Sequence, residues 1–522
     1  MYQIQQLFII PEPVSYKFFK EKFFISQETT INTSKELLNI AVDLQELLAF
    51  STGFNLEIKE RSKKTAANSI DLNLEENLDL LGSEGYILEI KPQNIIITAN
   101  SSAGIFYGIQ SLRQLFPNEV ESKNVIDNIE WSLPSVRIQD FPRFSWRGYM
   151  LDEARHFHGK RVVKKLLDII ALLKLNIFHW HLTDDQGWRI EIKRYPKLIE
   201  IGSKREETQS GDFSIRETES IPHSGYYSQE DILEIVDYAK RKFITIVPEI
   251  DIPGHTRAAI ASYPYLSCRE YKLRVSPHWG IHRDVLCVGK EEVFNFIQDV
   301  LSEVIRLFPS KMIHIGGDEV PTNRWEECEK CQLRLSKEKF TNFEELQIYF
   351  TNRIINYLKS LGVRVIGWNE ILHENLSEEV ICHYWSRGEQ KVLNHLRKGG
   401  NVITSNFKYT YLDHSYSFTP LKLAYNFEPI PKELGKQYHQ NILGLEALMW
   451  GEFIPTTKRL EWQTFPRLIA FSEVGWTHKN KKRYRSFLSR LEHFLKRLDI
   501  LNVNYASKDA MKQQSKKQQT FI

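Results

Sequence analysis

From about residue 145 to beyond residue 450 the chain alternates strand-like and helix-like runs, a pattern that few folds accept. Strand candidates are 146–152, 175–183, 244–252, 312–318, 363–370, 380–385, 401–406 and 441–451. Helical spacing fills 160–174, 229–242, 290–307, 341–359 and 387–398, and 460–474 follows the last strand. Ser228-Gln-Glu-Asp231 has the form of a capping box at the head of the second helix, and Ile232, Ile235, Val236 and Ala239 repeat with a period of 3.6 behind it. Eight strands with crossover helices predict the α/β class and a (β/α)8 TIM barrel over 141–505; a doubly wound sheet is the rival.

In a barrel of this kind function sits at the C-terminal ends of the strands. Strand one ends in Leu151-Asp-Glu-Ala-Arg155-His156 and strand two in His179-Trp-His181-Leu-Thr-Asp184-Asp185. Strand three ends in Glu249-Ile-Asp251-Ile-Pro-Gly-His255, strand four in Gly316-Gly-Asp318-Glu319, and strand five in Trp368-Asn369-Glu370. Strand six ends in His383-Tyr-Trp385, strand eight in Trp450-Gly-Glu452, and Tyr409, Tyr411 and Asp413 follow strand seven. Burying so many acids for structure alone is costly, because each must be paired or hydrogen-bonded. Tryptophans beside carboxylates suit the apolar faces and hydroxyls of a sugar, and paired carboxylates on a barrel rim suit glycoside hydrolysis. A metal hydrolase is the runner-up, with His179, His181, Asp184, Asp251, His255 and Asp318 as donors. Against it, no third histidine is evident at the height of His179 and His181, and a tryptophan cage has no task around a small hydrolytic metal.

The first 140 residues mix β-rich segments, Tyr86–Ile90 and Asn94–Ala99, with helical runs at Leu37–Leu48 and Ala103–Phe116, and read as a small α+β domain. The segment 506–522, rich in Lys and Gln, is expected to fray or be disordered. With 69 basic and 66 acidic residues the formal charge is +3, which gives no electrostatic case for nucleic acid. No apolar run is long enough for a membrane span. Five cysteines in 522 residues do not make a disulfide framework. Cys328-Glu-Lys-Cys331 has zinc-like spacing, yet no second pair follows it at matching spacing, so no metal is expected. The N-terminus lacks the basic and apolar regions of a signal peptide, and a cytoplasmic location is the expectation.

Taken together, these strings resemble the glycoside hydrolase family 20 β-N-acetylhexosaminidases. The resemblance runs in consistent order through Leu151-Asp-Glu-Ala-Arg-His-Phe, His179-Trp-His-Leu-Thr-Asp-Asp-Gln-Gly-Trp and Val247-Pro-Glu-Ile-Asp-Ile-Pro-Gly-His. It continues in His314-Ile-Gly-Gly-Asp-Glu, Tyr411-Leu-Asp and Leu448-Met-Trp-Gly-Glu, and the first 140 residues resemble the family's small N-terminal domain. It implies an exo-acting enzyme that removes terminal β-linked GlcNAc or GalNAc from oligosaccharides or glycoconjugates with retention, without a cofactor. The nucleophile would be the substrate's own 2-acetamido oxygen, an exception to the two-carboxylate rule.

On matching positions the resemblance makes Glu319 the general acid, Asp318 the ionised residue that orients the acetamido N–H, and Tyr411 the donor to the acetamido oxygen. Trp368, Trp385 and Trp450 would wall the sugar, and Arg155, Asp413 and Glu452 would hold its outer hydroxyls. Asp184, Asp251 and His255 would support the acid, and His179 and His181 would pack the barrel. Two positions depart from the family pattern: Glu446 stands where Gln is expected and Asn369 where an acid is more usual. Either departure is expected to affect leaving-group or subsite preference. A silent carbohydrate-binding protein on the same scaffold and a disaccharide-releasing enzyme of the lacto-N-biosidase kind are the alternatives.

Overall fold

A computed structural model describes residues 6–61, 67–211, 213–214, 216–374 and 376–511. Eight parallel strands close into a barrel: Trp146–Asp152, Ile177–His181, Thr245–Glu249, Met312–His314, Arg364–Trp368, Ile381–Tyr384, Val402–Thr404 and Ile442–Met449, each paired with its neighbours in chain order. The doubly wound rival is thereby removed. Strand four is shorter than the sequence suggests, because Gly316 and Gly317 turn the chain with φ of +64° and +98°. A Cβ on Gly316 would lie 1.7 Å from an oxygen of Asp251, so only glycine admits this turn.

The crossover helices Lys160–Leu172, Gln229–Arg241, Glu291–Leu307, Phe343–Ser360 and Glu389–Arg397 wrap the barrel. The capping box forms, with the Ser228 hydroxyl accepting from the Asp231 N–H and the Asp231 carboxylate accepting from the Ser228 N–H. The expected helix over 460–474 is instead two, Thr457–Thr464 and Arg467–Trp476. Pro466 lacks an N–H and holds Phe465 in an extended conformation, which ends the first helix.

Seven strands form the N-terminal mixed sheet, in the order Ser15–Phe24, Ser132–Asp140, Tyr86–Lys91, Asn94–Ala99, Ser69–Leu74, Thr30–Thr33 and Glu57–Glu60. The helix Ser102–Leu115 packs on this sheet, and its Gln114 side chain donates to the carbonyl of Leu172 in the barrel. At the join, the ammonium of Lys174 lies 2.9 Å from the Asp140 carboxylate with both side chains fully buried. Tyr86 and Trp476 also donate to Asp140, at 2.7 and 3.0 Å. Losing either partner of a buried pair held this way costs far more stability than breaking a surface pair would.

Of the expected tail, residues 506–511 are docked: Ala506 and Ala510 pack with Tyr416 beside Trp462, and Lys508–Met511 is helical. Residues 512–522 lie outside the described ones. Among the described residues no helix is long and apolar enough to cross a membrane.

Candidate active site

The barrel interior is stacked in layers, as the two-residue period of its strands requires. At the bottom Trp146, Ile177, Val247, Ile366, Ile381 and Ile403 form an apolar plug. Two residues further along four of these strands stand His179, Glu249, Trp368 and His383, joined in the interior by His181, His314 and Glu446. Glu249 takes His179 at 3.1 Å, His181 at 2.5 Å, His314 at 2.9 Å and the Trp368 indole N–H at 3.0 Å. Burial disfavours a charge there, but the surrounding histidines outweigh it and hold Glu249 well below the usual carboxylate range.

This layer corrects two expectations. A third and a fourth histidine do lie beside His179: the rings of His314 and His383 are 4.6 and 5.7 Å away. That premise against a metal fails: in this buried layer beneath the cavity Glu249 and Glu446 take up His179, His181 and His314, while His314 Nε2 and His383 Nδ1 have no hydrogen-bond partner within the protein. Glu446, expected to bear on subsite preference, also lies in this layer and not on a cavity wall. It accepts from the Trp146 indole at 2.7 Å and meets His179 Nδ1 at 3.0 Å. Room for it exists because residue 148 is glycine, whose Cβ would fall 2.2 Å from the Glu446 Cγ. Asn369 likewise faces away from the cavity. Its side chain ties the strand-six loop, accepting from the Trp385 N–H at 3.1 Å and donating to the Ser386 carbonyl at 3.0 Å.

Above the histidines a cavity of about 440 Å3 opens at the strand ends. The residues given catalytic, sugar-binding or supporting roles from the sequence all line it: Arg155, Asp184, Asp251, His255, Asp318, Glu319, Trp368, Trp385, Tyr411, Asp413, Trp450 and Glu452. Trp368, Tyr411, Met150 and Leu448 form one apolar cluster at its floor, with Trp385 and Trp450 against it. Tyr411 reaches the cavity because the chain, after a helical turn at Phe407–Thr410, bridges back to Leu448 of strand eight. The Trp385 indole is fixed by Glu370, at 3.0 Å.

At one end the Arg155 guanidinium is clamped by Asp152 at 3.0 Å and Asp184 at 2.8 Å, and lies 3.9 Å from Glu452. Asp413 stands nearby, and burial together with the neighbouring Glu452 pushes its carboxyl up to about 8. Asp413 Oδ1 is buried with no hydrogen-bond partner within the protein, and so is Asp318 Oδ1. Buried carboxylate oxygens are rarely left so, and their presence on cavity walls marks them as places where a ligand's donors fit.

At the other end His255 sits between the acids. Its Nδ1 is 3.3 Å from Asp184 and from Asp185, and its Nε2 is 3.9 Å from Asp318 and 3.7 Å from Glu319. Both His255 and Glu319 adopt left-handed backbone conformations, with φ of +52° and +49°. Such strain in non-glycine residues is found where a site over-determines the geometry. Burial works against charge on His255, but Asp184 outweighs it and lifts the imidazole well above its ordinary value. Asp318 is pushed up by burial, with His255 pulling against it, to about 6. The residue expected to stay ionised therefore does so only above about pH 6. Asp251, buried beside Asp318, is also raised well above the usual carboxylate range, first by burial and then by the Asp318 charge. Glu319 is the open member of the group, its side chain 36% exposed. It lines both the cavity and an adjoining open groove of about 1040 Å3 that runs past Val320, Gln347 and Glu370.

Phe213, Gly280, Ile281, Phe407, His414 and Phe453 also line the cavity and were not evident from the sequence. Phe407 opens the helical turn Phe407–Thr410 and the others sit in loops, all outside the strand-end strings that pointed to the rest. Phe213 and Phe453 meet edge to face, with ring centroids 5.1 Å apart. Away from the cavity, Cys328 and Cys331 are joined by Cys268 and Cys287, so the second thiol pair absent from the local spacing is supplied by the fold.

Comparison with known proteins places these observations in context. Residues 144–479 match the model of the glycosyl hydrolase family 20 catalytic domain, and residues 6–141 match that of the family's domain 2. The chain is 41% identical over 512 residues to a β-hexosaminidase of Porphyromonas gingivalis, covering 95% of this chain and 64% of that protein. It thus spans slightly less than two thirds of that relative's length. A β-hexosaminidase of Vibrio furnissii is 37% identical over 426 residues, covering 78% and 67%. Among solved structures, the β-N-acetylhexosaminidase of Streptomyces coelicolor superposes with a TM-score of 0.85 at 29% identity, over 96% of this chain and 98% of that one. A mutant β-hexosaminidase of Streptomyces plicatus in complex with its product GlcNAc gives 0.84 at 28% identity, over 98% and 99%.

Proposed function

This chain belongs to glycosyl hydrolase family 20, and on that premise we propose that it is an exo-acting β-N-acetylhexosaminidase that removes a terminal β-linked GlcNAc or GalNAc with retention of configuration. The observation that carries this reading is the position of Glu319, which lines both the small cavity and the open groove beside it. A bond placed between the two spaces has its sugar in the cavity, its leaving group in the groove and its bridging oxygen beside the acid. The buried clamp of Arg155, Asp413 and Glu452 at the far end favours a single sugar over a disaccharide.

Chemistry follows from the acids. Asp318 Oδ1, buried and unpartnered, accepts the acetamido N–H and offsets the positive charge that develops on nitrogen. Tyr411 donates to the acetamido carbonyl oxygen and aims it at C1. That oxygen forms the new bond to C1 as the bond from C1 to the leaving oxygen breaks, and Glu319 gives its proton to the departing oxygen. The oxazolinium ring is then opened at C1 by water, whose proton returns to Glu319. His255, bridging Asp184 and Glu319, holds the acid's carboxylate in place through both steps.

The test is a panel of p-nitrophenyl glycosides assayed with purified protein. Turnover of β-GlcNAc and β-GalNAc substrates with none of the β-glucoside supports the reading. Equal turnover of the β-glucoside, or sugar binding without hydrolysis of any substrate, refutes it.

A further inference from the structure

Outside the cavity, four of the five cysteines converge although the chain separates them widely. Cys268 and Cys287 come from the long loop after strand three, and Cys328 and Cys331 from the segment after Asp318 and Glu319. The sulfurs of Cys287 and Cys331 are 3.6 Å apart, those of Cys287 and Cys328 3.7 Å, and those of Cys268 and Cys331 3.8 Å. All four lie within 4.8 Å of one another, and each is a free thiol.

These separations have a geometric meaning. A tetrahedral zinc ion with Zn–S bonds of about 2.3 Å requires its sulfurs to stand about 3.8 Å apart. The backbone supports that arrangement. Ser267 bridges to Leu286, and the Cys287 N–H donates to the Leu266 carbonyl at 2.8 Å, which brings Cys268 and Cys287 side by side. Cys328 caps the helix Glu329–Lys337 and Cys331 follows one turn in, so the Cys-x-x-Cys thiols share a face. Gly289 lets the two halves meet, because a Cβ there would lie 2.4 to 2.5 Å from the backbone of Lys330 and Cys331. Trp325, fully buried, adds an indole bond to the Leu286 carbonyl at 2.9 Å. The buried Lys290 lies in the same turn and braces it, donating to the carbonyls of Tyr265 and Ser267 and pairing with Glu270 at 2.6 Å.

We propose that Cys268, Cys287, Cys328 and Cys331 bind one zinc ion as a closed tetrathiolate that ties the strand-three loop to the segment after the strand-four acids. The site leaves no open position for substrate or water, so its role is structural. It fixes the segment carrying His255 against the one carrying Asp318 and Glu319, whose distances set the catalytic geometry.

Metal analysis tests this on the wild-type protein, produced with zinc in the medium and purified in reducing buffer without chelator. About one zinc per chain is expected, against less than about 0.1 in a Cys328→Ser, Cys331→Ser variant. Replacement by cobalt(II) should give the visible bands of a tetrahedral thiolate site, a readout independent of activity and of the variant's folding. Wild-type protein with less than about 0.1 zinc per chain and no cobalt bands overturns the proposal. So does mass spectrometry showing these cysteines joined as disulfides in the active protein.

Discussion

Nε2 of His255 lies 3.7 Å from the carboxylate of Glu319, while its other nitrogen faces Asp184 at 3.3 Å. One imidazole thus couples the exposed acid to a buried carboxylate that also holds Arg155 and His181. Replacing His255 by Asn removes this coupling without emptying the cavity. We expect kcat to fall by about 10- to 100-fold, as for other positioning groups, with a smaller change in KM and a shifted pH profile. Steady-state kinetics across pH distinguish this from a folding defect, which lowers active protein without moving the profile.

Asp318 carries the sharpest pH dependence. Its carboxyl is raised to about 6, so it takes up a proton as the pH falls through that value. The protonated form cannot offset positive charge on the acetamido nitrogen. Below about pH 6, kcat/KM of the free enzyme should therefore fall about tenfold per pH unit, and Asp318→Asn should be low throughout, by about 100-fold or more. A profile of kcat/KM that stays flat down to pH 4.5 would show that this ionisation is not needed.

Glu446 governs stability more than rate. Burial opposes charge on His179, but Glu446 and Glu249 raise it to about 9, so the imidazole is protonated in the fold at neutral pH. A group raised in this way stabilises fully below its unfolded value of about 6.5, and the contribution is lost as pH rises through 9. Urea unfolding should show wild-type stability falling by a few kcal/mol from pH 7 to about 9.5. In Glu446→Gln that decline should be smaller. Equal slopes in the two proteins would remove the His179–Glu446 pair as its source.

Much of the site was legible because a barrel gathers the C-terminal ends of its strands, and those ends are contiguous strings in this chain. Asp318 and Glu319, or Trp450 and Glu452, need only the strand assignment to be placed. What was not legible depends on side-chain meetings across the barrel. His314 and His383 each stand alone between apolar neighbours, and nothing local reveals that both face His179. Glu446 is one substitution in a strand, and its task becomes clear only with the gap at Gly148. In the thiol cluster the spacing of Cys328 and Cys331 was visible, but Cys268 and Cys287 join them from a separate loop, so no local spacing could announce the second pair. The start of the expected tail was misplaced because Ala506 and Ala510, small residues in a polar stretch, are buried against Tyr416.

Lys174 and Asp140 test the join between the sheet and the barrel. Lys174→Met should leave Asp140 charged and buried, still held by Tyr86 and Trp476, and lower stability by about 3 to 5 kcal/mol. Because the pair is remote from the cavity, KM should be unchanged in the folded fraction, which chemical denaturation and kinetics on one sample will show.

The central claim is that the substrate's own acetamido oxygen is the nucleophile, held by Asp318 and Tyr411. It is tested most directly by hydrolysis of p-nitrophenyl β-glucosaminides bearing N-acetyl, N-fluoroacetyl, N-difluoroacetyl and N-trifluoroacetyl groups. Fluorine withdraws electrons from that oxygen, and the account predicts that kcat/KM falls stepwise along the series, by about 100-fold or more overall, equivalent to about 3 kcal/mol of barrier. A rate independent of fluorine number would contradict it and assign the attack to a carboxylate of the protein.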